Sequence, residues 1–153
     1  MPADSEPDVG SGLPLTFRPL GVRIAINAAG ALLLLVTLAM WFALPDAIRA
    51  QFSVAQIVTV LGLGAMMYVG GYALARSRVV ARAEGLTVVN GYKTRRFEWN
   101  EVLAVQLRAG SPWAMLDLSD GTSVAAMGIQ GSDGPRAVQQ VREVRALVAR
   151  LTR

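Results

Sequence analysis

Two stretches of this chain, residues 24–44 and 54–75, contain no Asp, Glu, Lys or Arg. No other feature restricts the possible folds as strongly. At about 1.5 Å of rise per residue, a helix of this length reaches about 31 Å, the thickness of a bilayer's hydrocarbon core. A soluble protein would have to surround both helices with other elements, and the rest of the chain is too short to do so on all sides. Hydrophobic residues make up 53% of the sequence, above the roughly 45–50% of an ordinary soluble domain, and the excess lies in these two runs. The expectation is a pair of transmembrane helices. About 17 mostly polar and acidic residues precede the first run, which is itself longer than the h-region of a signal peptide, so it is expected to remain in the protein.

Orientation follows from positive charge near the ends of the runs, since Lys and Arg are retained on the cytoplasmic side. Arg18 and Arg23 precede the first run, Arg76, Arg78 and Arg82 follow the second, and the connection at 45–53 carries only Arg49 against Asp46. Both termini are expected in the cytoplasm, with a small loop outside, in a multi-pass protein of the cell membrane. The chain divides into a disordered N-terminal tail (1–17), a transmembrane hairpin (18–78) and a cytoplasmic domain (79–153). The tail holds Pro2, Pro7, Pro14, Gly10, Gly12 and three acids without apolar periodicity, too little apolar surface to offset the entropy of ordering. Trp41 and Phe42 stand where an interfacial aromatic belt would put them. In the second run Gly62, Gly64, Gly70 and Gly71 permit close packing, most simply against the first helix. Asn27, near the cytoplasmic boundary, is expected to reach headgroups.

From residue 79 the apolar period shortens from helix to strand. Runs 79–82 and 86–90 flank Ala83-Glu84-Gly85 as a hairpin, and Asn90-Gly91 has the residues that a type I′ turn demands. The strand 93–99 sets Phe97 and Trp99 on one face, with Trp99 expected beneath a later helix. Residues 102–108 alternate Leu103, Val105 and Leu107 with Ala104, Gln106 and Arg108. Runs 113–118 and 122–126 meet through Asp120-Gly121 as another hairpin. Six strands in under fifty residues imply a curled antiparallel sheet or barrel. Ser132 or Asp133 is a candidate N-cap for a helix opening at Pro135 and running to about Leu151. Its stripe of Ala137, Val141, Val144, Val148 and Leu151 would pack on the sheet.

The chemistry-bearing residues are few. Cys and His are absent, which removes thiol nucleophiles, imidazole bases and the commonest zinc ligands. Glu98 and Glu101 read as solvated charges, and Asp117 and Asp120 as turn residues rather than an acid–base pair. Lys93, the only lysine, stands beside a hairpin turn, and no glycine-rich loop leads into a helix with a phosphate-binding lysine. No catalytic residue, metal site or cofactor is expected. From Arg76 onward twelve basic residues face seven acids. Without aromatics interleaved among the charges, an anionic membrane surface is a nearer partner than nucleic acid. Arg76, Arg78, Arg82, Arg95 and Arg96 are the candidate membrane-surface contacts.

A β-meander closed by one C-terminal amphipathic helix is the outline of a pleckstrin-homology-like (PH-like) domain. Arg96-Phe97-Glu98-Trp99 with Val102, then Pro112-Trp113-Ala114, Ser119-Asp120-Gly121-Thr122, Ile129-Gln130 and Asp133-Gly134, follow the order and spacing of one family. The chain resembles, over about residues 18–151, the actinobacterial PH-domain membrane proteins of the low-molecular-weight protein antigen 6 type. The resemblance implies an α+β PH-like fold after a two-helix transmembrane hairpin, and little activity. Eukaryotic PH domains capture inositol phosphates through basic residues between their first two strands. The stretch taken here for that loop, Ala83-Glu84-Gly85, has no basic residue, so specific phosphoinositide binding is not expected. The function read from these features is a non-enzymatic, membrane-anchored scaffold or interaction module with a protein partner. The alternative is an accessory or regulatory subunit of a larger membrane enzyme or transporter.

Overall fold

The computed structural model describes residues 12–152. Two long helices, α1 (Gly21–Ala43) and α3 (Val54–Ala75), form an antiparallel hairpin joined through the short α2 (Asp46–Arg49). Ser53 starts α3 by a reciprocal cap: its hydroxyl accepts from the Gln56 N–H while the Gln56 side chain accepts from the Ser53 N–H. Asp46 and Arg49 pair across α2, and Trp41 meets Phe52 edge to face at 5.6 Å beside it. Among the residues of both long helices only Ala75 is buried. Most of their leucines, valines and methionines are exposed among the described residues. The helices touch where Gly30 faces the Tyr68 ring and Gly71 faces Ile26, whereas Gly62, Gly64 and Gly70 have no neighbour within 4 Å of a would-be Cβ. Of the four glycines expected at this contact, one is there, joined by Gly30 of the first helix. Asn27 donates to the Arg23 carbonyl one turn back in its own helix.

The rest of the described residues form seven strands, a helix and two 3-10 turns. Strands β1 (Leu15–Phe17), β2 (Arg78–Arg82), β3 (Gly85–Asn90) and β4 (Lys93–Phe97) form one antiparallel sheet in that order. Strands β5 (Val102–Gln106), β6 (Trp113–Leu118) and β7 (Ser123–Gln130) form a second, and α4 (Pro135–Leu151) packs against it. Strand β1 corrects the reading of 1–17 as a disordered tail. Residues 1–11 lie outside the described residues, but Leu15, Thr16 and Phe17 pair with Ala81, Val80 and Val79, and Phe17 is buried in the core. A three-residue strand is too short to display a period, and Pro14 and Pro19 on either side read as breakers. The consequence is topological. The whole helical hairpin lies between the first two strands of the meander, so Ala83-Glu84-Gly85 is the second connection rather than the first.

The two sheets cross at Gly128, where a Cβ would stand 2.5 Å from the Cα and carbonyl carbon of Arg78; only glycine lets β7 approach β2 this closely. Asn90 joins the sheets a second time. Its amide donates to the Ala125 carbonyl at 2.5 Å and its Oδ1 accepts from the Met127 N–H at 3.0 Å. The turn beside it is therefore not the expected Asn-Gly type I′. Asn90 pairs with Lys93 and the loop is Gly91-Tyr92, with positive φ at Gly91 alone, the pattern of a type II′ turn.

Strand β4 ends at Phe97, and Trp99 lies in a 3-10 turn, Trp99–Glu101. As expected it is buried against α4, at 4% exposure, with its indole N–H donating to the carbonyls of Arg82 and Ala83. In β5 the expected alternation fails at Leu103. A bulge sets Val102 opposite Leu118 but Ala104 opposite Asp117, so Leu103 is turned out at 65% exposure while Val102 and Val105 both face the core. Helix α4 buries Ala137, Gln140, Val141, Val144 and Leu147. Its N-cap is Gly134, without a side-chain cap; neither Ser132 nor Asp133 serves it, because Asp133 is engaged elsewhere.

Candidate functional site

The connections alternate between two ends of the domain. At the end where the helices leave stand the β3–β4 turn, the β5–β6 loop (107–112) and the turn from β7 into α4. At the opposite end stand the β2–β3, β4–β5 and β6–β7 connections and the last turn of α4, whose Thr152 hydroxyl donates to the Trp99 carbonyl.

Three sets of contacts fix the helices to their end. Both carboxylate oxygens of Asp133 accept backbone N–H groups, from Leu20 and Gly21, each at 2.9 Å. These are donors that the start of α1 leaves without an intrahelical partner, and a negative charge there is favoured by the helix dipole. The Ser77 hydroxyl donates to Ala73 in the last turn of α3 and accepts from the Gly91 N–H. Tyr92 donates to the Val69 carbonyl at 3.0 Å, and the Arg76 guanidinium stands over its ring at 5.2 Å. The domain is thus attached to the hairpin through side chains as well as through the chain itself. Sequence reasoning named Arg76 only as a membrane-surface contact and Asp133 only as a candidate cap of the C-terminal helix, and it missed Ser77, Tyr92 and the attachment itself. Asp133 lies 112 positions from Gly21, and no local pattern signals a cap across that separation.

The five arginines singled out from the sequence separate. Arg76 and Arg78 stand at the hairpin end, Arg78 half-buried in the first position of β2. Arg82 closes the same strand, about 13 Å further on at the usual rise. Arg95 and Arg96 lie on β4 opposite Val88 and Thr87, both exposed. Arg82 and Arg96 meet in an open groove with Thr87, Glu84, Glu98 and Glu101. A second groove, between β5 and α4, is lined by exposed Leu103 and half-buried Val148 beside Arg145, whose Nε donates to the Val105 carbonyl at 2.6 Å.

Glu98, Glu101, Asp117 and Asp120 each have local structural partners. Glu101 accepts from the Glu98 N–H at 2.7 Å in a reciprocal cap of the 3-10 turn. Asp117 accepts from Gln106 and Ser123 across the second sheet. Asp120 accepts from the Thr122 hydroxyl and then its N–H, at 2.7 and 2.8 Å, which hold its carboxyl below the usual carboxylate range, the hydroxyl contributing most. A carboxyl with a lowered folded-state pKa stabilises the fold above its unfolded value near 3.9, and that contribution disappears as pH falls through the lower folded value. In an acid titration the Thr122 amide resonance is expected to shift with a midpoint below about 3.9; a midpoint at or above it would contradict the turn geometry. Among the described residues no group of three or more acids could hold a metal ion.

Comparison with known proteins agrees with this architecture. Residues 76–147 match the family described as "Bacterial PH domain". The uncharacterized proteins Rv1417 of Mycobacterium tuberculosis and Mb1452 of Mycobacterium bovis are each 36% identical over 99 residues, covering 65% of this chain and 64% of theirs. The match therefore spans just under two thirds of the length of these relatives. No solved structure matches the chain.

Proposed function

We propose, with residues 76–147 taken as a bacterial PH domain, that the chain is a non-enzymatic, membrane-anchored scaffold or interaction module. In this reading α1 and α3 cross the cell membrane, both termini are cytoplasmic, and the domain engages a protein partner. One observation carries it: the apolar hairpin is inserted between β1 and β2 and fixed to the domain through Asp133, Ser77 and Tyr92. A flexible tether would leave the domain free to tumble, whereas this attachment gives it one orientation relative to the bilayer. The domain's distal end, with the mixed-charge groove of Arg82, Arg96, Glu84, Glu98 and Glu101, then faces the cytoplasm. The cap, turn and cross-strand contacts of Glu98, Glu101, Asp117 and Asp120 give each of them a structural role, which supports the non-enzymatic reading.

The test has two parts. A reporter fused after Arg153 should be active only in the cytoplasm, and one inserted at Ala47 only outside; the reverse result overturns the orientation. Purification in mild detergent should recover a partner whose capture falls when Arg82 and Arg96 are changed to Glu. A stoichiometric multi-span partner, retained by that variant, would instead establish the accessory-subunit reading.

A further inference from the structure

Charge is divided between the two ends of the domain in a way that the linear sequence conceals. The hairpin end and its loops present Arg18, Arg23, Arg76, Lys93, Arg108 and Arg136, all exposed, and none is in an ion pair among the described residues. Among the described residues the one acid there, Asp133, is occupied by the N–H groups of Leu20 and Gly21. The opposite end carries Glu84, Glu98, Glu101 and Asp120 against Arg82, Arg96 and Arg150. Lys93, Arg108 and Arg136 come from three separate places, the start of β4, the β5–β6 loop and the first turn of α4. The β5–β6 loop is bound to the turn before α4 by the Gly131 N–H donating to the Pro112 carbonyl, and Asp133 in that turn reaches the start of α1. Tyr92 adds a marker of depth. Its ring lies 58% exposed beside α3, and its hydroxyl reaches Val69, seven residues before Arg76, which is about 10 Å along the helix. An aromatic with an apolar body and a polar tip at that level is suited to the zone where headgroups meet acyl chains.

We propose that this end of the domain is a binding surface for the anionic phospholipid headgroups of the leaflet that the hairpin enters, with Lys93, Arg108 and Arg136 as its contacts outside the helices. The inference rests on the reading that α1 and α3 cross the bilayer. Lipid is favoured over a soluble acidic partner because the cations ring the bases of two apolar helices, where a bilayer leaves no room for a protein to approach face on. Each charge near an anionic leaflet adds attraction that decays within a Debye length, so the effect is additive over the rim and sensitive to salt.

The experiment uses the full chain in nanodiscs of phosphatidylcholine alone, or with about one third phosphatidylglycerol, and reads amide hydrogen exchange in segments 107–112 and 131–136. Exchange should slow by roughly tenfold or more in the anionic discs, revert at high salt, and revert when Lys93, Arg108 and Arg136 are all changed to Gln. Changing Arg82 and Arg150 to Gln, at the other end, should leave the lipid dependence intact. Equal exchange in the two kinds of disc, or a lipid dependence that survives the Lys93, Arg108 and Arg136 substitutions, overturns the proposal. If inorganic phosphate added to phosphatidylcholine discs reproduces the protection, the site binds free anions rather than a lipid surface. A chain that does not enter either disc overturns the anchor reading along with this one, so the two failures are distinguishable.

Discussion

Replacing Trp99 by Ala is expected to destabilise the domain by about 3–5 kcal/mol, the range for removing a large aromatic from a packed core. Trp99 is 4% exposed and fills the space between the β2–β3 corner and the last turns of α4. Its indole N–H is shared between the Arg82 and Ala83 carbonyls at 3.0 and 3.1 Å, and its own carbonyl accepts from Thr152 at 3.3 Å. The substitution removes the ring, opens a cavity and leaves both corner carbonyls without their donor. Since domains of this size are stable by about 5–15 kcal/mol, a large part of the total is at stake. Trp99→Phe keeps most of the packing and loses only the donor, so it should cost about 1–2 kcal/mol. Thermal unfolding of the full chain in detergent, followed by near-ultraviolet circular dichroism, separates the two. If Trp99→Ala melts within a degree or two of the parent, the ring does not hold this corner together.

The parts of the fold that were legible in the sequence are those with a period or a local chemical signature. The two uncharged runs gave both long helices, and the stripe through Ala137, Val141 and Val144 gave α4. Asp120-Gly121 gave its hairpin because Asp and Gly are what that turn needs. What stayed hidden depends on partners far apart in the chain. Leu15-Thr16-Phe17 is a strand only because β2 lies beside it. Asn90 looked like a turn residue because Asn-Gly is a strong local signal, yet its side chain is occupied 35 and 37 residues away. Leu103 obeyed the alternation on paper, and a bulge that no local residue announces turned it outward. The candidate site suffered most. Arginines close in sequence, such as Arg78 and Arg82, lie at opposite ends of one strand, while Lys93, Arg108 and Arg136 come to the same end of the domain only once the sheets have closed.

The insertion of the hairpin between β1 and β2 leads to a prediction of comparable size. A soluble fragment beginning at Arg78 should not fold cooperatively, although it contains the whole stretch that matches the PH family except two residues. It lacks Phe17, 5% exposed and part of the main core cluster, whose loss alone is worth about 3–5 kcal/mol by analogy with other buried aromatics. It also leaves the outer edge of β2 unpaired, along Val79, Val80 and Ala81, an apolar edge of the kind that invites pairing between chains. The same geometry provides the remedy. Phe17 lies directly across the ladder from Val79, so residues 18–77 can be replaced by a short Gly/Ser turn without moving either strand. That linked chain should be soluble and monomeric and melt in a single transition, whereas the fragment should aggregate or show no transition. Introducing Phe17→Ala into the linked chain should lower its stability by most of the difference between them, since the paired backbone remains and only the ring is gone. If the fragment from Arg78 melts as sharply and as high as the linked chain, β1 is an accessory to the fold rather than its first strand, and the hairpin is an N-terminal attachment rather than an insertion.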